Sequence, residues 1–117
     1  MPAPSPAWVV HKFGGSSVAD ADCFRRVAAI LDSQPAGRLG VVLSACKGVT
    51  DALLSLVAQA EGQDASYQRG LESLRARHAA IAETLLPAEA ARLYLAAFDR
   101  DCHDLEGILH TVRLTRS

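Results

Sequence analysis

Residues 8–17 read WVVHKFGGSS, an apolar run that stops at two adjacent glycines. The run is rich in β-branched and aromatic side chains, which favour extended backbone, and glycine commonly ends such a segment. It therefore predicts a buried strand over Trp8–Phe13. The glycines predict a tight turn at the carboxyl end of that strand.

The segment that follows the glycines predicts an amphipathic helix. Ser17 and Asp20 have the spacing of a helix-start signal, in which the serine side chain caps the first turn. Apolar residues then recur at helical spacing and predict a helix over residues 18–32, with one apolar face made of Phe24, Val27, Ala28 and Leu31. The stretch 33–37 contains proline and glycine and ends this helix.

A second strand and a second helix repeat this order. Residues 39–43 predict a strand centred on two valines. Thr50 or Asp51 is expected to cap the next helix, whose predicted apolar face is Leu53, Leu54, Val57 and Ala58. Strand, helix, strand and helix over about fifty residues predict a βαβα unit with parallel strands, since crossovers of this kind join parallel neighbours.

The second half of the chain predicts helices alone. One helix is expected over Ser66–Leu86, with Gly70 weakening its start, and another over Ala88–Val112, with Pro87 between them. Two long helices joined at a proline predict a helical hairpin. The apolar positions expected to face the core are Leu71, Leu74, His78, Ile81 and Leu85 on the first helix, and Leu93, Ala96, Ala97, Leu105, Ile108 and Leu109 on the second.

The composition excludes several classes of protein. The 117 residues include 21 Ala and 15 Leu and carry a net charge of −1, which favours a helix-rich globular domain over a disordered chain or a basic nucleic-acid binder. No apolar run has the length of a membrane span, and residues 1–7 predict a disordered leader rather than a secretory signal. Three cysteines without CxxC spacing and four histidines without ligand spacing predict free thiols in a reducing cytoplasm and no metal site.

The chain has two lysines among its twelve basic residues, and each lies close to a glycine near the end of a predicted strand. Lys12 precedes Gly14 and Gly15. Bare glycine backbone at a strand end, followed by a helix N-terminus, can hold phosphate, and a lysine there adds a positive charge. The alternative is a structural Gly-Gly turn with Ser17 as the helix cap.

A second loop, residues 44–50, follows the second predicted strand. If the two strands are parallel neighbours, both loops open on the same edge of the sheet, where ligands bind in open α/β folds. Lys12 and Lys47 then converge on one crevice together with four hydroxyl groups, those of Ser16, Ser17, Ser44 and Thr50. Such a crevice suits a nucleoside triphosphate with a carboxylate substrate. Helix capping alone is the alternative for Thr50.

Two segments resemble one known family when taken together and in order. Residues 12–18, KFGGSSV, are similar to the KFGG[TS]SV segment of aspartokinases in the amino-acid kinase superfamily. Residues 42–50, VLSACKGVT, are similar to their second segment, V-[LV]-S-A-x-x-G-[VI]-T. Residues 105–110 look most like bifunctional aspartokinase–homoserine dehydrogenases. The resemblance implies the N-terminal portion of an α/β, amino-acid-kinase-type parallel-sheet sandwich (βαβα), followed by the long helical hairpin.

The resemblance also implies roles for the matching residues. It implies an enzyme that transfers phosphate from ATP, with Mg²⁺ present, to the side-chain carboxylate of L-aspartate, the first step of lysine, threonine and methionine biosynthesis. Lys12 is implied as the catalytic lysine, Gly14, Gly15 and Ser16 as the ATP-phosphate site, and Ser44 and Thr50 as the aspartate site. Lys47 fills a variable position, so contact with a ligand anion and simple solvation both stay open.

The resemblance implies an enzyme longer than this chain. Residues 8–117 are thus expected to be an incomplete, N-terminal part of the catalytic domain, inactive alone, and the full-length enzyme is expected to be a cytoplasmic homo-oligomer. A different class of function is a non-catalytic helical module that associates through its Ala- and Leu-rich faces. A truncated fragment without any activity is the remaining alternative.

Overall fold

The computed structural model of the protein describes residues 7–35 and 37–115. The elements in this part of the chain are β1 (Trp8–Phe13), a 3-10 helix (Gly15–Val18), α1 (Ala21–Asp32), β2 (Arg38–Leu43), α2 (Val49–Glu61), α3 (Tyr67–Leu85) and α4 (Ala88–Thr115). The chain divides into two compact units between Gly48 and Val49. The predicted disordered leader falls, except for Ala7, outside the described residues.

The first unit is built on two parallel strands. Trp8 lies opposite Arg38 at one end of the pair, and Phe13 lies opposite Leu43 at the other. Both strands agree with the predicted bounds to within one residue, and the predicted parallel pairing is confirmed. The resulting mixed α/β arrangement, a small parallel sheet with helices, agrees with the expected α/β class.

The prediction that β1 is buried holds only at its end. Phe13 is buried and forms a core with Val18 and Val27. Trp8 and Val10, in contrast, are each 63% exposed. The reason is that the described sheet has two strands, so that most β1 side chains lack the packing neighbours that a wider sheet provides.

Helix α1 begins later than its sequence pattern predicts. Asp20, rather than Ser17, is the N-cap, because its Oδ1 accepts a hydrogen bond from the Cys23 N–H at 2.9 Å. Ser17 instead belongs to the 3-10 helix and donates its N–H to the Gly14 carbonyl at 3.0 Å. On the predicted apolar face of α1, Val27 is buried and Phe24 and Leu31 are half-buried, while Ala28 is exposed.

The second unit begins with α2, for which both the predicted cap and the predicted face are wrong. The helix starts at Val49, so Thr50 and Asp51 lie within its first turn. Its buried residues are Val49, Leu56 and Ala60, whereas all four predicted face residues, Leu53, Leu54, Val57 and Ala58, are exposed. Apolar residues surround most of this helix, and packing against α3 selects a different stripe from the one its spacing suggested.

Helices α3 and α4 pack against each other on either side of Pro87. On α3, Leu71 and Leu74 are buried as predicted. Of the predicted α4 face, Leu109 is buried and Leu105 is half-buried, but Leu93, Ala96, Ala97 and Ile108 are exposed. The inward stripe runs instead through positions three and four residues apart, Ala91, Leu95, Phe98, Cys102, Leu105 and Leu109.

Candidate active site

The two glycine-containing loops leave the sheet on the same edge. Both strands of the parallel pair end there, at Phe13 and Leu43. The Ser44 N–H extends the pairing by one step, since it donates to the Phe13 carbonyl oxygen at 3.0 Å. The first residue of the second loop is therefore hydrogen bonded to the residue that immediately precedes Gly14.

Gly15 is the place where the two loops touch. A Cβ atom at this position would lie 3.3 Å from the Ala45 carbonyl oxygen and 3.4 Å from the Lys47 Cα. Both neighbours are backbone atoms of the second loop, so relieving the contact would require the backbone, rather than a flexible side chain, to move. Gly15 thus allows an approach between the loops that a larger residue would resist.

Gly14 has a different environment. Its backbone is extended, with φ −76° and ψ 175°, a conformation that any residue adopts. A Cβ atom there would meet no atom of the described chain within 4 Å. The 3-10 helix that starts at Gly15 leaves the N–H groups of Gly15 and Ser16 without an intrahelical acceptor. Open space next to bare backbone and such N–H groups is the geometry that suits a phosphate oxygen.

Lys12 stands on β1 just before this loop. Its side chain is exposed, whereas the next residue, Phe13, is buried on the opposite face of the strand. Within residues 7–35 and 37–115, Lys12 takes part in no ion pair. Its ammonium is consequently accessible to an anionic ligand.

Ser16 is exposed on the same loop. Helix α1 holds the loop in place through Cys23 but does not offer it N–H donors for a ligand. The Cys23 thiol donates to the Ser16 carbonyl oxygen at 3.6 Å. The start of α1 is occupied by the Asp20 carboxylate, and the hydrogen bond from the Cys23 backbone lowers the pKa of Asp20 below its usual value of 3.8. The N–H donors offered beside the glycines therefore belong to the 3-10 helix, not to α1 as the sequence suggested.

The second loop is held on both sides of Lys47. Cys46 is buried, and Gly48 has a φ of 85°, in the left-handed region that favours glycine. Ser44 and Lys47 are both exposed. The first unit thus brings together Lys12, the Gly14–Ser16 loop, Ser44 and Lys47, and Thr50 is exposed on the first turn of α2 in the second unit.

A groove in the second unit was not predicted from the sequence. It is an open groove of about 630 Å³, lined by residues of α3, α4 and their connection, Arg75, Glu83, Leu86, Ala88, Ala91, Arg92, Leu95, Ala96 and Asp99. Arg75 binds both oxygens of Asp99, at 2.8 and 3.2 Å, and Arg92 binds Glu89. Because the arginines are already paired with carboxylates, the groove offers little net charge to an anion.

The described residues contain no group of three or more His, Cys, Asp or Glu side chains placed to hold a metal ion. At the loop edge, the carboxylate of Asp20 is engaged in capping α1. No helix in the described ranges has the length and apolarity to cross a membrane.

Comparisons with known proteins agree with this arrangement. Residues 7–113 match the amino acid kinase family. The chain is 34% identical, over 106 residues, to the chloroplastic bifunctional aspartokinase/homoserine dehydrogenase 1 of Arabidopsis thaliana, covering 91% of this chain and 12% of that protein. It is 35% identical over 102 residues to bifunctional aspartokinase/homoserine dehydrogenase 2 of Escherichia coli, covering 86% and 12%.

Solved structures show the same relationship. Aspartokinase III of E. coli, in complex with aspartate and ADP, superimposes with a TM-score of 0.77 at 34% identity, covering 95% of this chain and 24% of that one. The same enzyme with lysine and aspartate gives a TM-score of 0.72. The chain thus spans about a quarter of aspartokinase III and about an eighth of the bifunctional relatives. On these matches, the chain belongs to the amino acid kinase family.

Proposed function

We propose that this chain supplies the phosphate-binding edge, and part of the substrate site, of an aspartate kinase. The observation that carries the proposal is the parallel pairing of β1 with β2. It sets the loop of residues 14–17 beside the loop of residues 44–48, with Gly15 against the backbone of Ala45 and Lys47. The similarity to aspartokinase III, solved with aspartate and ADP, supports the choice of substrates.

The chemistry needs positioning and charge neutralisation more than proton transfer. A carboxylate with a pKa near 4 is already deprotonated at neutral pH and is therefore a nucleophile without a general base. Its oxygen attacks the γ-phosphorus of ATP, and the bond between that phosphorus and the β,γ-bridging oxygen breaks to release ADP. Aspartyl phosphate is the other product. Negative charge on the transferring group is the quantity that the protein has to stabilise.

The loop residues have groups suited to that task. Lys12 is accessible and is proposed as the catalytic lysine, which stabilises the charge on the γ-phosphoryl group. The backbone at Gly14 and Gly15, with the N–H and hydroxyl of Ser16, is proposed to hold the ATP phosphates. Ser44, which is hydrogen bonded to Phe13 through its backbone, is proposed to bind aspartate. For Thr50 the same role rests on the resemblance of its segment.

The finer structural and biological expectations belong to this proposal as well. They are the kinase sandwich, the helical hairpin, the use of Mg²⁺ with ATP, a homo-oligomeric full-length enzyme and a role in lysine, threonine and methionine biosynthesis. A cytoplasmic location rests on the free cysteines, and the plant relatives are named as chloroplastic. Because the chain spans a small part of its relatives, we expect residues 1–117 alone to show no turnover.

A chimera tests the proposed reaction. The matching N-terminal segment of E. coli aspartokinase III is replaced by residues 7–113 of this chain, and aspartyl phosphate is trapped with hydroxylamine. We expect turnover in the chimera and at least a hundredfold loss in its Lys12→Ala variant, the order found when a transition-state donor is removed. Arg38→Ala, at the opposite end of the sheet, is the control and should keep activity.

The chimera and the unmodified chain give opposing checks. Full activity in a folded Lys12→Ala chimera would remove the catalytic assignment. Robust hydroxamate formation by residues 1–117 without any other enzyme segment would show that the chain is not an incomplete part of the catalytic domain.

One observation favours the alternative of an association module. Helix α4 exposes large apolar side chains, with Leu93 at 57% and Ile108 at 61%. Exposed apolar side chains are typical of surfaces that bind another protein where they form a contiguous patch. Light scattering over a range of concentrations tests the module: a monomer at high concentration would exclude it, whereas association also fits the homo-oligomer proposed for the kinase.

A further inference from the structure

We infer that Lys47 is a second phosphate-binding cation, which contacts the polyphosphate of ATP alongside Lys12 and favours nucleotides with two or three phosphates over AMP. The inference rests on the proposed function, because it adds a residue to the proposed ATP-phosphate site. Lys47 occupies a variable position of the segment it belongs to, so the resemblance assigns it no role.

The position of Lys47 carries the argument. Its backbone lies against Gly15, whose Cβ position is 3.4 Å from the Lys47 Cα and 3.6 Å from the Lys47 nitrogen. Gly15 also belongs to the loop, Gly14–Ser16, that is proposed to hold the ATP phosphates. A cation that starts from this point, on a flexible four-carbon stem, reaches an anion seated on the Gly14–Ser16 backbone.

The loop fixes where the lysine starts. The preceding residue, Cys46, is buried, and the following residue, Gly48, has a φ of 85°. The backbone is therefore anchored by packing on one side and by a turn specific to glycine on the other. Between these two anchors the Lys47 side chain is exposed. Because the backbone is already anchored, binding of a ligand has to order only the side chain, which limits the entropy lost on binding.

The juxtaposition favours phosphate over the aspartate carboxylate as the partner of Lys47. The Lys47 backbone lies beside Gly15, which belongs to the proposed ATP-phosphate loop. The two lysines are also the only ones in the sequence, whereas the other basic residues are ten arginines. A compact ammonium suits a phosphate cluster as a point charge, and two of them neutralise a polyphosphate better than one.

Nucleotide titrations of the ¹⁵N-labelled chain test this inference. Dissociation constants for ATP, ADP and AMP are measured from amide shifts for the wild type, Lys47→Gln and Lys47→Arg. Since both partners are exposed, a charge pair of about 1 kcal/mol corresponds to a roughly fivefold effect. We expect Lys47→Gln to weaken ATP and ADP about five- to tenfold and AMP less than twofold, and Lys47→Arg to retain most of the affinity.

Two controls separate the inference from a general effect of charge and from the proposed function. Arg38→Gln removes the same charge at the opposite end of β2 and should leave ATP affinity unchanged. If Lys12→Ala weakens ATP while Lys47→Gln does not, the inference is wrong and the proposed function stands. If neither variant changes ATP affinity, both are wrong.

Kinetics in the chimera decide which substrate Lys47 serves. The inference predicts that Lys47→Gln raises KM for ATP and leaves KM for aspartate unchanged. A rise confined to KM for aspartate would overturn it and assign the lysine to the carboxylate.

Discussion

The two glycines of the first loop should respond in opposite ways to the same added methyl group. Gly14→Ala places a Cβ where no described atom lies within 4 Å, on a backbone that alanine adopts without strain. Because alanine also restricts the unfolded chain, the free energy of unfolding should rise by about 0.5 kcal/mol. The substitution should nevertheless weaken ATP binding roughly tenfold, since the methyl group fills the space proposed for phosphate.

Gly15→Ala should destabilise the fold instead. The new Cβ would lie 3.3 Å from the Ala45 carbonyl oxygen, tighter than ordinary van der Waals contact, and the obstructing atoms are backbone. Crowding costs about 1 to 1.5 kcal/mol, at the low end for an overpacked site, and this outweighs the gain from restricting the unfolded chain. The free energy of unfolding should therefore fall by about 0.5 to 1 kcal/mol. The two variants should therefore differ by about 1 to 1.5 kcal/mol.

Urea unfolding measures this difference. Trp8 is the single tryptophan and lies in the same unit, so its fluorescence reports on the relevant part of the chain, with circular dichroism as a second signal. Gly37→Ala is the control: its Cβ also meets nothing within 4 Å, but Gly37 precedes β2 at the other end, so ATP affinity should not change. Equal or greater stability of Gly15→Ala relative to Gly14→Ala would refute the proposed contact between the loops.

Three further substitutions test the packing and the cap. Asp20→Ala should lower the urea midpoint at neutral pH. Because the pKa of Asp20 is lowered in the folded protein, its contribution to stability is present above a pH of about 3.8 and is lost as the pH falls through the folded pKa. The midpoints of wild type and variant should therefore converge in acid, and a difference that stays constant with pH would contradict this. Gly70→Ala should lower the free energy of unfolding, measured in urea, by about 1 kcal/mol, because the new Cβ would lie 2.5 Å from Cδ2 of the buried Leu56. This crowding outweighs the better helix propensity of alanine. A gain in stability would show that Leu56 can move. Tyr67→Phe should stabilise the protein by about 1 kcal/mol in calorimetry, since the fully buried hydroxyl has no partner among the described residues, and a loss would indicate one.

The strands and their pairing were predictable because their signals are local. A β-branched run that ends in glycine occurs at residues 8–15, and a β-branched run ending in small and polar residues occurs at 39–45. The α-helix between them, α1, makes a parallel crossover the expected connection. The same reasoning placed Lys12 and Ser44 at one edge, which the pairing of Phe13 with Leu43 confirms.

Other features depended on choices that the sequence leaves open. Ser17 and Asp20 both satisfy the preference for a helix cap, and only the hydrogen bond from Cys23 shows that Asp20 takes the role. On α2 and α4, Ala and Leu occur on most sides, so that periodicity alone does not select the buried stripe. The close approach at Gly70, and the burial of the Tyr67 hydroxyl without a partner among the described residues, arise from tertiary packing, for which no local signal exists.

The most direct test of the central claim is an ATP titration of the uniformly ¹⁵N-labelled chain, with amide shifts assigned residue by residue. The account predicts that the shifts concentrate in residues 12–17 and 44–48, and that Lys12→Ala sharply weakens them. Shifts confined to the groove between α3 and α4, or a titration that Lys12→Ala leaves unchanged, would contradict it.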